Sequence, residues 1–241
     1  MSRVALVTGG AVRLGRATVT ELAATGWSVA FTYRSSAREA AALVRRLEKA
    51  GTDCLAIRAD LASPAAPRRI VARVERRFGR LDALVNNAAI FPRTPFADLD
   101  AAALRTALRV NLEAPVLLAH ACAPLLRVAG GAIVNLVDIH AAYPLRHYLP
   151  YCVSKAALAA ATRALAVELA PEVRVNAVAP GIAQWPDDYD AEIKRRLVAR
   201  TLLKRPGTAA EIARAVRFLI EGTDSTTGQV LTIDAGRTVT V

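Results

Sequence analysis

Tyr151 and Lys155 stand four residues apart in LPYCVSKAALAAATRALAVEL, and Asp138 closes the short run AIVNLVD ahead of them. A spacing of four puts a phenol and an amine on one face of a helix. Ala132 to Val137 is β-branched enough to read as a buried strand ending at Asp138, and the Ala/Leu-rich segment reads as a buried helix. If the connection folds back over the strand's carboxyl end, phenol, ammonium and carboxylate converge where open α/β sheets bind ligands. That trio suits reduction of a carbonyl or an imine. A phenol with a pKa of about 10 is a poor acid at neutral pH. An adjacent ammonium stabilises the phenolate, which lowers that pKa and eases proton transfer. Asp138 has three roles open to it: orienting the phenol, polarising the substrate, or relaying a proton. The same residues also fit a surface Tyr–Lys pair, with Asp138 as a helix cap or an ion pair with His140, Arg146 or His147. The rest of the chain has to decide.

The elements that must position these groups alternate between apolar strand-like runs and helix-length segments, as in a parallel sheet covered on both faces. Strands are predicted near Arg3–Thr8, Ser28–Tyr33, Cys54–Arg58, Ala83–Asn86, Ala132–Val137, Val173–Val178 and Val230–Ile233. Helices are predicted over Arg13–Thr25, Ala37–Ala50, Pro67–Phe78, Asp100–Val128, Pro150–Ala170 and Thr208–Ile220. Pro115 should kink the long helix or mark a junction within it. Nothing resembling a linker divides residues 1–241, so one domain is expected.

The strand ends carry further candidates. In TGGAVRLGRA, Gly9, Gly10 and Gly15 allow a tight turn, and the helix N-terminus that follows attracts phosphate. Arg13 stands where a middle glycine could be and can offer the pyrophosphate a cation. Arg34, Ser35 and Ser36 follow the second strand, where an acidic residue would instead hold the ribose of NAD. They suit a 2′-phosphate and so favour NADPH, although Ser35 or Ser36 could equally cap the next helix. Asp60 and Leu61 can wall an adenine, and Asn86, Asn87 and Ala88 fall at the same edge. Phe91 either stacks on a flat substrate or covers the core. Residues of about 182–205, after Pro180-Gly181, should form a substrate loop and lid helix. There Trp185 walls the pocket or packs beneath the loop. Leu145 and Tyr148 are candidates for the same cavity. His120 is expected to pack within a helix, and the three histidines lack ligand spacing, so no metal is expected.

Composition narrows the classes. The formal charge is +11, from 32 Lys+Arg against 21 Asp+Glu. The arginines are dispersed on helices with acids among them, which reads as solvated faces rather than a nucleic-acid site. A basic field also favours phosphate-bearing cofactors. No run of about 18 residues lacks a charge, so no membrane span is expected. Cys54, Cys122 and Cys152 are scattered and odd in number, and the N-terminus enters a strand directly. A cytoplasmic protein with free thiols is the expectation.

TGGAVRLG, NNA, Asn111, Tyr151-x-x-x-Lys155 and Pro180-Gly181 occur in the order seen in short-chain dehydrogenase/reductases, a resemblance that runs through the final VLTIDAGR. It implies a Rossmann-type, doubly wound α/β fold with a seven-stranded parallel sheet, hydride transfer from a nicotinamide, and a homotetramer or dimer. It also implies that Tyr151 is the acid/base, that Lys155 holds the nicotinamide ribose, and that Asn111 organises a relay water. Most members have serine at position 138 and glycine at position 13. Asp138 and Arg13 resemble the pteridine reductase branch, including dihydromonapterin reductases, as do Phe91 after NNA and the Arg34-Ser35 pair. A serine often found there after NNA is Ala89 here. Cofactor contacts are thus expected at Gly9, Arg13, Leu14, Gly15, Arg34, Ser35, Asp60, Leu61, Asn87, Ala88, Tyr151, Lys155, Pro180 and Gly181. Substrate contacts are expected at Arg13, Phe91, Asp138, Tyr151 and Trp185. The substrate expected is a small pterin, with a ketone or 3-oxoacyl thioester as the competing class and a non-catalytic NADP(H) sensor as the third.

Overall fold

The computed structural model describes residues 2–185 and 189–239. Seven strands form one parallel sheet in the order β3-β2-β1-β4-β5-β6-β7. They are β1 (Val4–Val7), β2 (Ser28–Tyr33), β3 (Cys54–Arg58), β4 (Ala83–Asn86), β5 (Ala132–Leu136), β6 (Arg174–Pro180) and β7 (Val230–Ile233). The chain reverses its direction of travel across the sheet between β1 and β4, and such a switch point opens a crevice at the strands' carboxyl ends.

Alternation along each strand feeds two cores. Leu6, Leu84, Ile133 and Val175 face one way, onto α3 (Ala66–Phe78) and α5 (Ala114–Ala129). Val7, Val85, Val134 and Val178 face the other, onto α1 (Arg13–Ala24) and α8 (Ala209–Glu221). The central strands are fully buried on both faces, which is why their sequences run continuously apolar. Each large aliphatic side chain in these cores contributes about 1.5–3 kcal/mol on burial. α2 (Ala37–Lys49) extends the second core over the β2–β3 end, burying Ala40, Leu43 and Leu47.

The predicted helix over Asp100–Val128 is three pieces. α4 (Ala101–Leu108) starts at Asp100, whose Oδ1 accepts from the Ala103 N–H at 2.7 Å. A single π turn follows at Arg109–Glu113, and α5 then runs to Gly130, which ends it in the left-handed region at φ 60°. Pro115 lies in the first turn of α5 and marks the junction: without an N–H it cannot donate to the Asn111 carbonyl four residues back. Taken together, residues 101–129 are long and apolar enough to cross a membrane, an 18-residue window within them having a mean hydropathy of 1.4. Leu118, Cys122 and Leu126 are nevertheless buried against α3 and the sheet, the pattern of a core helix. His120 projects from α5 to solvent rather than packing inside. The remaining boundaries move by a residue or two, the largest being β6, which continues past Val178 to Pro180.

Candidate active site

The strand β5 ends at Leu136, and Asp138 then caps a 3₁₀ turn at Ile139–Ala141, its Oδ1 accepting from the His140 N–H at 2.8 Å. Its other oxygen, Oδ2, accepts from the Tyr151 phenol at 2.7 Å. Capping and orienting the tyrosine are therefore both done by one carboxylate. Tyr151 sits in the first turn of α6 (Leu149–Leu169), where Pro150 needs no N–H partner. The connection is pinned from outside: Thr94 N–H donates to the His147 carbonyl at 2.6 Å. Phe91 stacks on Tyr148 with ring centroids 4.3 Å apart and meets Tyr151 edge-on at 4.5 Å.

Lys155 is one helical turn on and 3% exposed. Its Nζ donates to the Leu136 carbonyl at 2.6 Å and stands 5.9 Å from the Tyr151 ring centroid. Burial lowers its pKa to about 8, partly opposed by Asp138. The tyrosine shows the reverse of the expected effect. Burial, then the charge of Asp138, then its hydrogen bond push the phenol well above its ordinary value. The lysine ammonium is spent on a backbone carbonyl, while a carboxylate touches the hydroxyl itself, so repulsion outweighs attraction. Tyr151 is thus held protonated, and giving up that proton costs more than it does for a free phenol.

Asn111, expected to organise a relay water, has its side chain bonded to protein groups. Its Nδ2 donates to the Ile90 carbonyl and to Ser154 Oγ, each at 3.0 Å, and its Oδ1 accepts from the Ile90 N–H at 2.9 Å. It is fully buried and does not line the cavity. It ties the segment carrying Phe91 to α6. Asn87 acts similarly on the glycine loop, its Nδ2 donating to the Thr8 carbonyl at 2.8 Å.

At the other end of the crevice Gly9 turns with φ 63° and Gly15 approaches it closely: a Cβ on Gly15 would fall 2.1 Å from the Gly9 carbonyl oxygen. Arg13 adopts φ 52° at the first position of α1, the left-handed conformation a glycine would take without strain. Its Nη2 donates to the Trp185 carbonyl at 3.4 Å. Ser36 stands at the N-cap position of α2, but its hydroxyl makes no capping bond. The capping role foreseen for Ser35 or Ser36 is thus not what Ser36 does, and Arg34, Ser35 and Ser36 all face the crevice.

One cavity of about 520 Å³ joins the two ends. Its wall includes every expected contact residue except Asn111: Gly9, Arg13, Leu14 and Gly15; Arg34, Ser35, Asp60 and Leu61; Asn87, Ala88 and Phe91; Asp138, Tyr151 and Lys155; Pro180, Gly181 and Trp185. Leu145 lines it, whereas Tyr148 stands behind Phe91 and does not. Trp185 walls the pocket, with Lys194 Nζ 6.0 Å from its ring and the Tyr189 ring centroid at 6.4 Å. Within the segment expected as loop and lid, α7 spans Ala191–Ala199, and residues 186–188 lie outside the described residues. Sequence reasoning missed Tyr189, Leu197 and Arg237 on the wall. For Arg237 a signal existed, since in a parallel sheet the residues just after β7 must fall at the same carboxyl edge as Asp138.

The donor set fits a dinucleotide phosphorylated on its adenosine ribose. The glycine turn would be filled by any Cβ, the α1 N-terminus offers N–H groups, and Arg34 with two serines offers a phosphate site.

Comparison with known proteins agrees. The family described as enoyl-(acyl carrier protein) reductase matches residues 10–238. A chain from Streptomyces violaceoruber, provisionally named granaticin polyketide synthase ketoacyl reductase 2, is 37% identical, with 97% of this chain and 95% of that one covered. A blue fluorescent protein from a metagenomic library, solved with NADPH, is 35% identical with a TM-score of 0.92, covering 98% of this chain and 97% of that one. FolM alternative dihydrofolate reductase 1 from Brucella canis, solved with NADP, is 34% identical with a TM-score of 0.90, covering 98% and 94%. Likeness of that extent, in sequence and in fold together, makes the chain a member of the short-chain dehydrogenase/reductase family of oxidoreductases.

Proposed function

We propose that this protein is an NADPH-dependent reductase of pterin rings, taking dihydropterins such as dihydrobiopterin or dihydromonapterin, and dihydrofolate, to their tetrahydro forms. The observation that carries this reading is the 2.7 Å hydrogen bond from Tyr151 to Asp138 on the cavity wall. Reducing a ring C=N bond needs a proton on nitrogen as hydride reaches carbon, a hydride that NADPH would supply when bound. Tyr151, kept neutral by burial and by Asp138, holds the proton for nitrogen. The phenolate left behind regains its proton from solvent, which Asp138 can relay by first taking a proton from water. An ionised carboxylate has about four acceptor sites. Two are occupied by Tyr151 and His140, which leaves capacity for the amino and amide N–H edge of a pterin. Phe91, 39% exposed and edge-on to Tyr151, offers a flat ring a stacking face beside the proton donor. Arg13 serves the pyrophosphate and the substrate's polar edge. Arg34 and Ser35 receive the ribose phosphate, Asp60 and Leu61 flank the adenine, and Lys155 holds the nicotinamide ribose. Asn111 and Asn87 act by fixing the segments that carry Phe91 and the glycine turn.

Likeness to a FolM alternative dihydrofolate reductase supports this reading, whereas likeness to a ketoacyl reductase favours a second one, reduction of a 3-oxoacyl thioester. Following NADPH absorbance with dihydrobiopterin, dihydromonapterin or dihydrofolate, and in parallel with a 3-oxoacyl thioester, separates them. Pterin-dependent oxidation that falls at least about 100-fold in Tyr151→Phe is expected. Turnover of the thioester alone supports the second reading. The proposal includes a cytoplasmic homotetramer: the described cysteines are all free thiols, and Leu117, Val128, Val153 and Val167 leave apolar surface exposed on α5 and α6. Light scattering on the purified protein tests the assembly.

A further inference from the structure

The segment that joins Asp138 to Tyr151 forms part of the cavity wall, and it is held by a buried side chain that the chemistry above does not use. Residues 142–148 link the 3₁₀ turn to α6 outside any helix or strand. A segment of this kind makes few backbone bonds of its own, and Pro144 brings no N–H at all. Near its start the His140 ring Nδ1 lies 2.8 Å from the Tyr143 carbonyl. A carbonyl only accepts, so that nitrogen carries the proton. Near its end stands the Thr94–His147 backbone bond. Between these two ties is Leu145, on the cavity wall. The Leu145 N–H donates to Cys152 Sγ at 3.3 Å, and the thiol donates in return to the Leu145 carbonyl at 3.9 Å. That carbonyl also accepts from the Tyr148 N–H at 3.2 Å.

Cys152 follows Tyr151 in α6 and is 5% exposed. Burial raises its pKa, against the pull of the Leu145 N–H, so the sulfur stays a neutral thiol that accepts and donates at once. A buried neutral thiol is a poor nucleophile, and its contacts are what it offers the site. One turn of α6 therefore fixes two things: Tyr151 brings the phenol to Asp138, and Cys152 ties down the wall beside it.

We propose that Cys152 is a positioning residue, which clamps Leu145 in the cavity wall so that the apolar wall and the Tyr151 phenol keep a fixed separation around the substrate. Productive geometry is lost with displacements of about 1 Å, so a tied wall matters more than a merely apolar one. The inference rests on reductase activity at this site and applies to a pterin or a 3-oxoacyl thioester alike.

The test uses the intact protein with whichever of dihydrobiopterin and a 3-oxoacyl thioester the wild type turns over. Cys152→Ala leaves the Leu145 N–H without its acceptor. KM for the substrate should rise about 5- to 10-fold while kcat changes less than about twofold and the Kd for NADPH is unaltered. Hydrogen exchange of a peptide covering residues 142–148 should be faster in the same variant. Cys152→Ser, whose hydroxyl also accepts and donates, should recover most of the KM and of the protection. An unaltered KM in Cys152→Ala overturns the inference even where the melting temperature falls, because the thiol then only fills the core. Equal rises in KM in the alanine and serine variants overturn it as well, since side-chain shape and not the bond would be responsible. Turnover of the thioester alone contradicts the pterin reading, and the thioester's KM then decides the role of Cys152. No turnover of either substrate overturns both.

Discussion

Arg13→Gly should make the protein more stable and a worse binder of its cofactor. A non-glycine residue in the left-handed region costs about 1–2 kcal/mol, and Arg13 is there at φ 52°. Glycine removes that strain but takes back about 0.5–1 kcal/mol through the freedom of the unfolded chain. The arginine's bond to the Trp185 carbonyl, at 3.4 Å and exposed, is near the limit of hydrogen-bond geometry and adds little. A net gain of about 0.5–1 kcal/mol remains. At about 2–4 °C per kcal/mol for a chain of this size, the cofactor-free melting temperature should rise by about 1–4 °C. Affinity moves the other way, since a lost charge-assisted bond to pyrophosphate is worth about 1.5–3 kcal/mol, or about 10- to 150-fold in Kd. Thermal melts and a titration followed by NADPH fluorescence measure the two effects. Arg13→Ala should show the weaker binding without the gain in melting temperature. A lower melting temperature with unaltered Kd in Arg13→Gly would refute both the strain and the pyrophosphate role.

Three further outcomes follow from the same geometry. Asp138→Asn keeps an acceptor but removes the charge that helps raise the Tyr151 pKa, so the basic limb of the kcat/KM profile should move to lower pH. Lys155 keeps its proton up to 10.5 when unfolded but only to about 8 when folded, so the unfolded chain binds more protons between these values. Stability from this group therefore rises with pH across that window, and below it burying the ammonium costs about 3 kcal/mol. Lys155→Met should accordingly change stability relative to wild type by an amount that shifts between pH 7 and pH 10, measured by urea unfolding; a pH-independent difference contradicts it. Asn111→Ala removes three hydrogen bonds of a fully buried side chain and should lose about 3 kcal/mol, lowering the melting temperature by roughly 6–12 °C.

The strands were readable because a parallel sheet covered on both faces demands continuous β-branched runs, and such runs end where the ligand edge begins. Asp138, Phe91 and the Arg34-Ser35 pair could be placed on that edge for the same reason. The π turn at Arg109–Glu113 could not, because an extra residue in a helical turn has no compositional signature; Pro115 hinted at a junction but not its form. The direction of the tyrosine shift depended on distances that spacing cannot supply. A lysine one turn away is on the right face, yet its Nζ is drawn to the Leu136 carbonyl while Asp138 reaches the hydroxyl. The amide of Asn111 likewise had several partners within reach of its position, and only the packed loop decides which it takes. Arg237 lay outside the motifs, on a turn after β7 that Asp234 holds.

The most direct test of the central claim is kcat/KM for a dihydropterin and for a 3-oxoacyl thioester, measured in the wild type and in Asp138→Ser. The account predicts that the wild type favours the pterin and that Asp138→Ser loses most of that activity, because serine brings no charge to the ring's donor edge. A wild type that favours the thioester, with Asp138→Ser equal or better on it, would contradict the account and make the aspartate incidental to the reaction.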